Sequence, residues 1–274
     1  MALKRDPVHT LLTRESTLVT GALVVITALG WWYVLALAAD MHMGNMDMSG
    51  FRMAADGLHM VMTPATAPWT TREFVLTFVM WAVMMVGMMT PSATPLVLVY
   101  AHLSRAAVRA GRSRGTTIWF VSGYLATWVW FAFAATVVQW GLQRKAWLTP
   151  DMATPSRVAA ALVLIAAGLY QWTPFKSSCL SHCRSPFVFL LEHGGFSPER
   201  RGAFILGWAH GVRCVLCCWM LMALLFVGGV MNLLWIAALS VLALAEKAVP
   251  GARLFTRAVG VALCAAGIWY LVWG

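Results

Sequence analysis

"FVLTFVMWAVMMVGMMTPSATPLVLVYAHL", residues 74–103, runs thirty positions without an aspartate, glutamate, lysine or arginine. A helix crossing a bilayer needs about 20 consecutive, mostly apolar residues, so this stretch is long enough to span. Six further apolar stretches lie around it, at 18–39, 116–140, 157–172, 203–228, 232–246 and 257–273, of which 157–172 and 232–246 are short. With 61% hydrophobic and 11% charged residues, too little polar surface remains for a water-soluble domain. The runs do not alternate apolar and polar side chains, which excludes a closed β-barrel. Trp119 and Trp140 flank the third stretch, and Trp269, Tyr270 and Trp273 close the last, where aromatic rings meet headgroups. The chain reads as an all-α, polytopic membrane helix bundle of about seven spans, with the lipid bilayer as a partner. Pro91 and Pro95 predict a Pro-broken second span, because each removes a backbone donor and leaves the carbonyls of Gly87 and Pro91 under-bonded. Irregular backbone at membrane depth is received by protein or by a watery cavity, and discontinuous helices mark transport sites.

Lys and Arg collect in short cytoplasmic loops. With the N-terminus cytoplasmic, the inner segments hold fourteen basic residues, Arg105, Arg109, Arg200 and Arg201 among them. The outer segments hold five: Arg52, Arg72, Arg144, Lys145 and Arg157. The net charge of +10 is then a matter of orientation and anionic lipid. No compact basic motif with interleaved aromatics points to nucleic acid. "LALAAD" at 35–40 looks like a cleavage site, but the apolar run before it exceeds the 7–15 residues of a signal core, so it reads as an anchor. Three regions follow: 1–39, an N-terminal tail and first anchor; 40–70, an outer Met/His-rich loop; and 71–274, a multi-span membrane domain.

The outer loop opens with "MHMGNMDMSG", in which Met41, His42, Met43, Met46 and Met48 gather soft ligands. Thioether sulfur favours Cu(I) and imidazole also accepts Cu(II). A thioether does not titrate near neutral pH, so such ligands keep working in an acidic compartment. Met80, Met84 and Met88 recur every four residues in the second span, with Met85 and Met89 on the adjoining edge, forming one helical face. Methionine stripes also serve as adaptable packing, so this face has two readings. The fifth span, "GWAHGVRCVLCCWMLM" at 207–222, places His210, Cys214, Cys218 and Met222 at four-residue steps, with Cys217 beside them. Three thiols continued by an imidazole and a thioether predict a metal or redox site. Helical spacing discourages a disulfide between Cys214 and either neighbour, which favours a metal. Arg213 sits in this span, where it either offsets thiolate charge or pairs elsewhere, Glu246 being one choice. A third cluster, Cys179, His182 and Cys183, falls in a cytoplasmic segment as a reduced thiol pair with an imidazole. Cys264 reads as packing.

The motifs "MWAVMMVGMMTPSATP", "YQWTPFKSSCLSHCRSP", "GVRCVLCCWMLM" and the "EK" at 246–247 together resemble the bacterial predicted metal-binding integral membrane proteins, a family classed as a domain of unknown function. The resemblance covers most of residues 74–273. It implies metal binding and a multi-pass protein of the bacterial inner membrane, without fixing metal or reaction. The chain departs from the family pattern at Leu216, where glycine is usual, and at Arg213, where an uncharged aromatic is commoner.

Ordered by depth, the ligands change from loop thioethers to Met80, Met84, Met88 and Met222, then to Cys217, Cys218 and Cys214, then to His210, and finally to Cys179, His182 and Cys183. Affinity for Cu(I) rises inward along that order. The expected function is a copper-binding protein that accepts Cu(I) outside and transports or delivers it by ligand exchange. Copper is the expected cargo, with zinc or another soft metal as the alternative. A metal-donor or acceptor protein, or a membrane enzyme, is the expected partner. No phosphate-binding loop is visible, and the reading is of a transporter or chaperone more than an enzyme. Two alternatives stand beside it: a membrane thiol–disulfide oxidoreductase working through Cys179 and Cys183, and a non-transporting copper-holding assembly factor for a membrane enzyme.

Overall fold

The computed structural model describes residues 7–41, 51–64, 66–111, 115–145, 147–149, 152–154, 156–249 and 252–273. The chain is mostly helical. The helices are α1 (Pro7–Met41), α2 (Thr71–Arg109), α3 (Thr117–Arg144), α4 (Arg157–Tyr170), α5 (Pro174–Arg184), α6 (Pro186–Glu192), α7 (Arg200–Ala223), α8 (Leu225–Gly228), α9 (Leu233–Ala248) and α10 (Ala252–Val272). Among the described residues, five helices are long and apolar enough to cross a membrane: Thr17–Ala39 within α1, α2, α3, the α7–α8 run and most of α10. They become six if α4 and α5, bent by 65° at their junction, are taken as one span. The short stretch at 232–246 forms α9, of 16 residues. Large apolar side chains such as Trp130, Leu162, Leu234 and Leu254 are exposed on the outside of the bundle. That is compatible with a multi-pass membrane protein, since a water-soluble one seldom exposes so much contiguous apolar surface.

An all-α chain was the expectation, and one feature departs from it. β1 (Phe51–Asp56) and β2 (His59–Pro64) form an antiparallel hairpin between α1 and α2, with Asp56 opposite His59. Gly57 has φ of 68° at the first position of the two-residue turn Gly57-Leu58, a conformation glycine takes without strain. Arg52 ties the hairpin to α2. Its guanidinium donates to both Glu73 carboxylate oxygens at 2.8 and 2.9 Å, and to the Pro64 and Ala67 carbonyls. His42, Met43, Met46 and Met48, expected as loop ligands, lie outside the described residues, as does the side chain of Met41.

α2 also differs from expectation, since it runs as one helix through Pro91 and Pro95. Hydroxyls meet the carbonyls around the prolines. Thr90 donates to Val86, Ser92 and Tyr124 to Met89, Thr94 to Thr90, and Ser240 to Met88. These bonds brace the helix on either side of Gly87 and Pro91, whose own carbonyls they do not reach. α2 lies against α1 at a glycine pair, where a Cβ on Gly30 would stand 2.8 Å from the Gly87 Cα. α3 runs antiparallel to α2 and packs close on α7. A Cβ on Gly207 would overlap the Phe120 carbonyl, and one on Gly211 would lie 2.7 Å from the Thr127 Cβ.

Candidate metal centre

α7 carries the centre on one face. His210, Cys214, Cys217, Cys218 and Met222 fall on that face by helical periodicity, and none is more than 2% exposed. The close α3–α7 packing brings the Tyr124 hydroxyl to 3.4 Å from Cys214 Sγ. The same hydroxyl donates to the Met89 carbonyl at 2.9 Å, so α2, α3 and α7 meet at Cys214. Lys247, near the end of α9, donates to Cys214 Sγ at 2.9 Å and to Ser92 Oγ of α2 at 3.0 Å. A cation this close offsets the charge of a thiolate.

α5 completes the cluster. Spacing along the chain separates Cys179, His182 and Cys183 from the fifth apolar stretch, yet the Cys183 thiol lies close enough to Cys214 and Cys217 to interact with both electrostatically. The bend after α4 turns α5 back towards α7. Thr173 caps α5, accepting from the Lys176 N–H, and Pro174 occupies its first turn. Lys176, 1% exposed, then pairs with the equally buried Glu246 at 2.8 Å, and Arg184 donates to the Glu246 carbonyl. These contacts hold α5 beside α9 and set Cys183 and Lys247 around the same thiol. Cys179 is buried one turn earlier on α5, within electrostatic range of Cys217.

The other expected ligands divide. His182 turns away from the thiols: Nε2 lies 2.7 Å from a Glu192 oxygen and Nδ1 is 2.7 Å from the Ser178 carbonyl. His210 is enclosed by Tyr124, Phe120 and Phe189, with ring centroids 5.5, 6.4 and 5.2 Å away, and its Nδ1 has no hydrogen-bond partner. Met84, Met85, Met88 and Met89, with Met80, are all at most 3% exposed and pack in the core. Arg213 pairs with Glu192 at 3.6 Å and lies over Phe189, not with Glu246, which Lys176 occupies. The cation at the thiols is Lys247, which spacing did not single out. Its signal was an acid–base pair ending an otherwise apolar run.

Among the described residues, no three His, Cys, Asp or Glu side chains converge as a preformed ligand set. Cys217 and Cys218 donate instead to the Cys214 carbonyl, at 3.1 and 2.9 Å. Rotation about their Cα–Cβ bonds is the step that would free both sulfurs. Chemically, the cluster suits a soft ion that accepts two or three thiolates.

A family described as PpoB2, copper chaperone, matches residues 78–270. The chain belongs to this copper-chaperone family. The matched region runs from α2 to α10 and contains every thiol of the centre, while α1 and the hairpin precede it. The family's description is consistent with copper binding. No curated protein and no solved structure matches the chain.

Proposed function

We propose that the chain is a membrane copper chaperone that accepts Cu(I) on its outer side and passes it inward to the thiols of Cys214, Cys217, Cys218 and Cys183. One observation carries this reading: Cys214 on α7 has the Lys247 ammonium at 2.9 Å and lies close enough to Cys183 of α5 to interact with it electrostatically. In our reading the bundle crosses a bacterial inner membrane seven times, with α4–α5 and α9 as the two short crossings. The N-terminus is cytoplasmic and the methionine loop is outside. Met41, His42, Met43, Met46 and Met48 gather the ion. Met84, Met85, Met88, Met89 and Met222 form the thioether stage, and His210 and Cys179 border the thiol stage. His182 is engaged by Glu192 and the Ser178 carbonyl. The ligands are soft throughout, which favours Cu(I) over zinc.

The test is the metal content of the chain purified under reducing conditions, compared with a Cys214→Ser/Cys217→Ser/Cys218→Ser variant. Copper held by the chain and lost in the variant supports the reading. Copper absent, or unaffected by the change, sinks it. Uptake of Cu(I) into proteoliposomes separates a carrier from a protein that holds copper for a membrane enzyme. One observation favours a second reading. Cys183 and Cys217 stand on different helices, so the spacing that disfavours a disulfide within α7 does not apply to them. Oxidation of that pair would release two electrons and two protons to a quinone. Quinone reduction with a Cys183–Cys217 disulfide would establish this alternative.

A further inference from the structure

Met152 lies outside every ligand group considered so far. It is 1% exposed and has φ of 58°. Every other described residue in the left-handed region is a glycine: Gly57, Gly111, Gly115, Gly194, Gly195 and Gly229. A side chain there costs about 1–2 kcal/mol that glycine avoids. Strain of this kind persists where surrounding structure enforces it, and it concentrates at functional positions.

The surroundings do enforce it. The turn closes through the Met152 N–H to the Thr149 carbonyl at 2.9 Å and the Thr149 N–H to the Ala153 carbonyl at 2.7 Å. Thr154 then pins the segment to the Phe226 carbonyl through both its N–H and its hydroxyl. The side chain enters the core, where Gln139 Nε2 donates to Met152 Sδ at 3.2 Å. Gln139 is itself 1% exposed, and its Oε1 accepts from Trp81 Nε1 at 2.6 Å. An indole N–H only donates, so Trp81 fixes the amide and directs the NH₂ group at the sulfur. Trp81 adjoins Met80 on α2, and Met84 and Met85 follow one turn on, a rise of about 5.4 Å. A thioether is therefore oriented by a buried network at the hairpin end of the α2 methionine face.

We propose that Met152 is a thioether ligand that relays Cu(I) into the bundle, handing it to the methionines of α2. The step is ligand exchange without electron transfer: the N–H···S hydrogen bond from Gln139 gives way to a copper–sulfur bond, which breaks again as Met80 or Met84 takes the ion. This rests on the copper reading above.

The experiment follows Cu(I) loading of the full chain in proteoliposomes, with chelator-buffered Cu(I) added on the hairpin side, and records both rate and final copper content. Met152→Leu keeps the bulk and removes the sulfur. Met152→Gly removes the sulfur and relieves the strain. Both variants are expected to load at least tenfold more slowly than the unchanged chain, to the same final content, with the melting temperature of the volume-conserving Met152→Leu close to that of the unchanged chain. Loading of either variant at the unchanged rate overturns the proposal. So does slow loading confined to Met152→Gly and accompanied by a lower melting temperature, which would assign the residue to packing. If the unchanged chain acquires no copper at its thiols, the copper reading itself falls, and Met152 with it.

Discussion

Cys214 meets a hydroxyl, an ammonium and a second thiol from three different helices. Of these, the Lys247 contact does most to set the strength of the centre. Hydrogen bonds to charged groups contribute about 1.5–3 kcal/mol. Lys247→Met is therefore expected to weaken Cu(I) binding about 10- to 100-fold, measured by competition with a Cu(I) chelator. The two members of the Cys179–Cys183 segment that lie side by side should behave differently. Cys183→Ser is expected to lower Cu(I) affinity in the same assay, whereas His182→Ala should leave it within about twofold, because its ring is engaged by Glu192 and Ser178. Equal losses in both would contradict the assignment. The α7 face was legible in the sequence because all its members share one helix and obey one period. Cys183 was legible as a thiol of a separate segment but not as a neighbour of that face, since no spacing rule spans the intervening α6. Lys247 was hidden for the same reason: its partner thiol is on another element.

Elements set how firmly these residues are held. α3 and α7 approach so closely that Gly207 has no room for a side chain. Gly207→Leu is expected to destabilise the bundle by at least about 1–3 kcal/mol through overpacking and to separate Tyr124 from Cys214. A fall in melting temperature together with lost copper would be the signature. The Lys176–Glu246 pair joins α5 to α9 with both side chains 1% exposed. Removing one partner leaves a buried charge, at a cost of about 3–5 kcal/mol. Lys176→Met should therefore lower the melting temperature, and Lys176→Met with Glu246→Gln should restore most of it. Two elements show what periodicity missed. The hairpin announced itself only in Gly57, within a segment dominated by its methionines. The prolines of α2 predicted a break, but the hydroxyls that meet its carbonyls come partly from Tyr124 and Ser240, which no local reading of α2 contains.

At the scale of the molecule, hydropathy identified the helical class and most of the long spans because lipid imposes one requirement on all of them. It said less about the short α4 and α9, whose burial comes from neighbours. The arrangement of basic residues makes a directional prediction. With the native cysteines changed to serine, Ser49→Cys should react with a membrane-impermeant maleimide added to intact cells. Protection until the membrane is opened would reverse the topology.

The bend that carries Cys183 to α7 also makes the centre a crosslink between two helices. An ion shared by Cys183 and Cys217 would fasten α5 to α7 much as a staple does, so occupancy becomes a mechanical state of the bundle as well as a chemical one. Backbone amides of residues 174–192 should then exchange with deuterium more slowly when copper is bound. The short α6, which follows directly from the fastened helix, would report loading in the same way.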